Sequence, residues 1–194
     1  MRPATAARRA HILEAALACF NERGIDATTI HDIQGAADCS IGSLYHHFGS
    51  KEGIAEELFI ALITQFNDAR LASLQDCTNG EESVRALVEE YCRWSTDNPG
   101  YAHFLHARDI DFSPAAKARL KALHDDYLNT VFAWFEPFLR SGQIREYPVD
   151  VYVSLISGPV RDYVGRWLSE QLSQSPMTVA EVFAGAAWES VRTH

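Results

Sequence analysis

The sequence predicts an all-α fold of about nine helices. Three observations carry that prediction. No stretch sustains the apolar–polar alternation and β-branched enrichment of a strand. Apolar residues instead recur three and four positions apart along most of the chain. The runs are also punctuated by helix signals: Gly24 as a stop, and a Pro just after a capping residue at Asn98-Pro99, Ser113-Pro114 and Ser175-Pro176.

Each element has its own reason. The first helix runs from about Thr5 to Arg23, with Ile12, Leu13, Ala16, Leu17 and Phe20 on one stripe. Gly24 is placed to end it. Thr29 is an N-cap for a second helix, and Asp32 three residues on completes a capping box. Ile30, Ile33, Ala36 and Ala37 give that helix its apolar side. It stops at Asp38-Cys39-Ser40, where Asp38 takes the left-handed conformation less easily than glycine does. Ser40 caps a third helix, Ile41 to His47, whose core residues are Leu44 and Phe48. Ser50 caps a fourth from Lys51, carrying Ile54, Leu58, Phe59, Leu62, Ile63 and Phe66. Residues 75–83, QDCTNGEES, have loop chemistry and divide the N-terminal unit from the rest. Further helices are expected at about 81–97, 99–108, 114–140, 148–171 and 176–191. Gly158-Pro159 is expected to kink or break the fourth of these, since an interior Pro costs about 3 kcal/mol.

Composition bounds the class. Of 194 residues, 47% are hydrophobic and 22% charged, as in a globular chain. No apolar run approaches the roughly 18 residues that cross a bilayer. The start, MRPATAARRAHILEAALACF, lacks an uninterrupted apolar segment, because Glu14 breaks it. A cytoplasmic address without membrane attachment is the expectation. Cys19, Cys39, Cys77 and Cys92 form no C-x-x-C pair and read as buried free thiols in a reducing compartment. The net charge of −9 is uneven. Residues 1–53 hold five basic and six acidic groups, while the other 141 residues hold 12 and 20. Four of the eight histidines also fall in the first 53 residues. A nearly neutral N-terminal surface therefore stands beside an acidic remainder, which discourages non-specific adhesion to polyanions.

Two helices of about seven residues joined through ADCS are too short to persist alone. They must pack on the first and fourth helices, as in a helix-turn-helix whose second helix enters the DNA major groove. Ile41, Gly42 and Ser43 keep the start of the third helix low in bulk, so it can approach base edges. Its free backbone N–H groups and dipole favour anions. Tyr45, His46 and His47 supply donors, Lys51 a charge, and Thr29 a hydroxyl. Plain packing accounts for such a helix pair as well, and spacing alone leaves both readings open.

A resemblance narrows the choice. The stretch TTIHDIQGAADCSIGSLYHHFGSKEGIAEELF is similar to the DNA-binding region of the TetR family of bacterial transcriptional regulators. Upstream, ILEAALACFNERGIDATT resembles the family's first helix and the turn after it. The match covers roughly residues 8–60, and SIGSLYHHFGSKE is its most specific part. The resemblance implies a three-helix DNA-binding head with a helix-turn-helix (residues 1–50). It also implies a helical-bundle body (residues 51–194) that dimerises and holds a small effector. Thr29, Ser40, Tyr45, His47 and Lys51 then fall at phosphate-contacting positions. Ile41, Gly42, Ser43 and His46 fall where bases are read. Two departures stand out. The family's AGVS turn reads ADCS here, with Asp38 in place of Gly and Cys39 at the buried site. Gln34 replaces a common Ala and is expected to be solvated, with contact to a phosphate or a base as the alternative.

In the body, the helix at 148–171 is apolar almost all around, including Val160, Val164 and Trp167. The last helix carries one stripe, including Val179, Phe183 and Ala187. A four-helix homodimer interface is the economical reading, and cover of the second face within one chain is the alternative. The middle helices are rich in large aromatics. Phe59, Phe66, Trp94, Phe104, Tyr127 and Trp134 are candidates to line a site for an apolar or aromatic small-molecule effector, with ordinary core as the alternative. Arg108, Arg161 and Arg166 are candidate partners for an anionic effector, though solvated or interface roles suit them better. His103, His106 and Asp109 share a helix face, but no matching Cys/His cluster recurs, so no metal and no cofactor is expected. No nucleophile elbow, phosphate loop or convincing carboxylate pair points to an enzyme. The expected function is a ligand-responsive repressor that binds palindromic double-stranded DNA as a homodimer. A transcriptional activator, or a helical interaction module without DNA binding, is the alternative.

Overall fold

The computed structural model describes residues 3–107 and 110–193; Arg2, Arg108 and Asp109 lie outside the described residues. All regular elements described are helical, apart from one isolated bridge between Ile144 and Arg192. In order they are α1 (Pro3–Arg23), α2 (Ile30–Ala36), α3 (Ile41–Phe48), α4 (Lys51–Ala72), α5 (Gly80–Asp97), α6 (Pro99–His106) and α7 (Pro114–Arg140). Then come α8 (Val149–Tyr152), a π-helical segment (Val153–Ser157), α9 (Gly158–Leu168) and α10 (Pro176–Val191). Counting α8, the π segment and α9 as one run, the described residues hold nine helices, as the periodicity predicts.

The chain forms two compact units: residues 1–63 with 103–121, and residues 64–102 with 122–194. The first unit is built around α1 to α3 and the start of α4. Ile12, Ala16, Phe20, Ile33, Leu44, Ile54 and Leu58 are among its buried apolar residues. The predicted caps are in place. Thr29 and Asp32 form the reciprocal box on α2. Ser40 accepts from the Ser43 N–H, and Ser50 accepts from the Gly53 N–H at 3.0 Å. Gly24 ends α1 with φ +80°. The ends of α6 and α7 that belong here are pinned by side chains. Phe104 stacks on Phe20 at 5.7 Å, and Glu56 accepts from the Ser113 N–H at 2.5 Å.

In the second unit α10 packs on α5, α9 and the π segment, and α9 also packs on α5. Ala180, Ala184 and Ala187 are buried, which lets α10 lie close to its neighbours. The break expected at Gly158-Pro159 takes a specific form. Pro159 has no N–H to give, and the ladder shifts register just before it, with Gly158 N–H donating to the Val153 carbonyl five residues back.

Candidate functional site

The turn between α2 and α3 is closed by backbone geometry. Cys39 N–H donates to the Gln34 carbonyl (3.3 Å) and Asp38 N–H to the Gly35 carbonyl (3.4 Å). These are the paired bonds of a Schellman ending, which needs a left-handed residue just after the cap. Asp38 fills that place with φ +42°. Cys39 is buried beneath it. Gln34 departs from the solvated role expected for it: its Nε2 donates to the Cys39 carbonyl at 3.0 Å and clamps the turn.

With the turn fixed, α3 sorts its residues by face. Leu44 is buried against the first unit, while Ser40, Gly42, Tyr45 and His46 are exposed. Tyr45 is 52% exposed, so its hydroxyl faces solvent. Ile41, Ser43 and His47 are half-buried. Two cations fix the rest of the frame. Arg9 donates to the His47 carbonyl (2.8 Å) and to Glu57 (3.1 Å), and its guanidinium lies over the Phe48 ring at 4.5 Å. Lys51 donates to the carbonyls of Ile25 (2.7 Å) and Asp26 (3.2 Å), tying the start of α4 to the loop before α2. The Thr29 hydroxyl donates to Asp32 at 2.7 Å. Hydrogen bonds from the Thr29 hydroxyl and N–H, with Arg23 beside it, hold the Asp32 carboxyl below the usual aspartate range.

The six candidate effector residues separate. Phe59 and Phe104 belong to the first unit, and their rings lie 6.4 Å apart. Phe66, Trp94 and Tyr127 gather in the second. Phe66 meets Tyr91 at 4.8 Å and Trp94 at 4.9 Å. Tyr127 faces the same buried Arg70 that Phe66 and Tyr91 face. Trp134 lies elsewhere on the second unit's α7 and donates to the Ser83 hydroxyl at 3.1 Å. Of the candidate interface residues, Val160, Val164 and Ala187 are buried within their own chain, and Trp167, Val179 and Phe183 are half-buried. Among the described residues no group of three His, Cys, Asp or Glu is arranged to hold a metal. All four cysteines are free, and Cys77 is half-buried rather than enclosed like the other three. No described helix is long and apolar enough to cross a membrane.

Known proteins share this architecture. A family model described as bacterial regulatory proteins, tetR family, matches residues 12–58, from within α1 into α4. The chain is 54% identical over 178 residues to the HTH-type transcriptional repressor KstR2 of Mycobacterium tuberculosis H37Rv, covering 90% of this chain and 86% of that one. It belongs to the tetR family of bacterial regulatory proteins. KstR2 of Rhodococcus jostii RHA1 is 49% identical over 184 residues, covering 91% and 87%. A TetR-family regulator from Marinobacter aquaeolei VT8 has the same fold, with a TM-score of 0.79 over all of both chains at 23% identity. FadR of Bacillus subtilis, solved with stearoyl-CoA, superposes with a TM-score of 0.80 at 17% identity, over 94% of this chain and 98% of that one. The chain is thus a DNA-binding transcriptional repressor of this family, which is one of regulators rather than enzymes.

Two residues of this tetR-family chain carry more than their sequence positions suggest. Arg9 reads as an ordinary surface cation of the first helix, yet it holds the end of α3. Arg70 reads as a basic residue in the last turn of α4, where such residues are common. It is 6% exposed. The signal that marks it is an i, i+4 ladder of Ile54, Leu58, Leu62 and Phe66, all buried, on which Arg70 is the next rung.

Proposed function

We propose that the chain acts as a homodimeric, ligand-responsive repressor on a palindromic operator, with residues 1–50 as head and 51–194 as body. The carrying observation is the outward face of α3. Ser40 and Gly42 are exposed at the amino end, whose first backbone N–H groups have no intrahelical partner; Tyr45 and His46 continue the exposed face toward the other end, while Leu44 anchors the opposite side. In this reading Ser40, Tyr45, His47 and Lys51 meet phosphates, Thr29 joins them once its hydroxyl turns from Asp32, and Ile41, Gly42, Ser43 and His46 meet base edges. Lys51 adds charge beside the backbone while two of its protons stay on the Ile25 and Asp26 carbonyls.

One head covers a few base pairs, and a two-fold pair matches a palindrome with half-sites one helical turn apart. Pairing runs through α9 and α10, where Trp167, Val179 and Phe183 are half-buried and Val182 is 71% exposed. A small effector binds in the second unit, at the aromatic cluster of Phe66, Trp94 and Tyr127. It releases DNA because it favours the form whose heads no longer match the operator. Helix α4 is one continuous helix from Lys51 to Ala72, so it links the effector residue Phe66 to the head. The site of action is the cytoplasm, where the chromosome lies.

Selection from a randomised duplex library tests this. The reading predicts enrichment of an inverted repeat, and a sedimentation mass of two chains on each duplex. A failure to enrich any sequence overturns it.

A further inference from the structure

Arg70 is the most unusual charge in the second unit. Its side chain is buried, yet among the described residues no carboxylate lies within ion-pair distance. Glu90, the acid whose titration it influences, is bonded to Arg93 at 2.5 Å instead. Three rings surround the guanidinium, with Phe66 at 5.4 Å, Tyr91 at 5.6 Å and Tyr127 at 5.2 Å. One hydrogen bond leaves it, from Nη2 to the Ser157 hydroxyl at 2.8 Å. The Nε–H has no partner. A buried cation without a counter-ion is costly, and ring faces offset only part of that cost.

The partner that Arg70 does have points the same way. Ser157 is the last residue of the π-helical segment, a distortion that recurs at functional sites in helices. A helix thus departs from its regular ladder at the residue that meets the buried charge. A guanidinium with a free Nε–H is shaped to take a carboxylate along its edge.

We infer that Arg70 is the anion anchor of the effector site, and that the effector is an apolar acid whose single carboxylate pairs with it. The inference rests on the reading that an effector binds in the second unit, and it names that effector's chemistry. The apolar body of the ligand lies against Phe66, Tyr91 and Tyr127. Charge sets the class: Arg70 is the buried cation among the rings, while Arg161, the other cation whose charge reaches Tyr91, is exposed, so the enclosed charge matches a monoanion.

The test is calorimetric titration of the full-length protein, without DNA, by naphthalene-2-acetate, decanoate, their primary amides and inorganic phosphate. Wild type is expected to bind at least one acid about ten- to a hundredfold tighter than its amide. Arg70→Met is expected to level acid and amide. The free Arg70→Met protein is expected to melt no lower than wild type, because it removes an unpaired buried charge. The inference is overturned if amides bind as well as acids, if neither acid binds, or if phosphate binds tighter than both acids. A large fall in the melting temperature of Arg70→Met also overturns it, since the cation would then be structural. None of these outcomes involves DNA, so they are distinct from a failure of the repressor reading.

Discussion

Replacing Gly53 by alanine sets two effects against each other. A Cβ built at Gly53 lies 2.1 Å from the Phe48 carbonyl oxygen and 3.3 Å from its carbon. The contact to the oxygen is about 1 Å inside the closest approach that Cβ atoms make. The obstacle is backbone, so no side chain can rotate away. Relief requires the last residue of α3 to move from the first turn of α4. Overpacking of this kind costs about 1–3 kcal/mol, and an obstacle that cannot yield places it at the upper end. Alanine returns about 0.5–1 kcal/mol of helix propensity. The net is a loss of about 2 kcal/mol, or roughly 4–8 °C in melting temperature for a chain this long. Gly35→Ala is the control, because nothing lies within 4 Å of its Cβ and its backbone is helical. It is expected to raise the melting temperature slightly. Thermal unfolding followed by circular dichroism measures both. If Gly53→Ala melts at or above wild type, the packing argument for the α3–α4 corner is refuted.

Three further outcomes follow from the head. Lys51→Ala removes both carbonyl bonds and should lower stability by about 1–3 kcal/mol. Below its melting range it should also reduce the salt slope of DNA binding by about one. Tyr45→Phe should leave unfolding unchanged, since the hydroxyl is exposed, yet weaken binding to all duplexes alike by roughly tenfold in fluorescence anisotropy. Asp32 gives a pH signature. Its folded carboxyl titrates below its unfolded value, so its contribution is present above about pH 4 and is lost as pH falls through the folded value. Acid unfolding curves of Asp32→Asn should therefore show a shallower loss of stability below about pH 4 than wild type.

What the sequence made legible was local. The capping box of Thr29 and Asp32, the Ser40 and Ser50 caps and the left-handed Asp38 are each set by residues within a few positions, and each is found in place. Contacts between distant segments were not legible. Nothing near Lys51 reveals that Ile25 and Asp26 lie against it, and nothing near Gln34 shows that its amide turns inward. The Gly158-Pro159 break was visible, but not that it would take the form of a π segment, which packs against the distant α5 and α10. Aromatic spacing could not divide Phe59 and Phe104 from Phe66 and Tyr127, because helical periodicity marks a buried face without saying which core it joins.

The central claim is that the first turn of α3 enters duplex DNA, and Gly42 tests it most directly. Its Cβ would meet only the Ser40 hydroxyl, at 4.0 Å, so the fold accepts a side chain there. Gly42→Gln should melt with wild type and bind the selected operator more than about tenfold more weakly, because the added bulk occupies the space that a base edge needs. Undiminished operator binding by a folded Gly42→Gln protein would contradict the account.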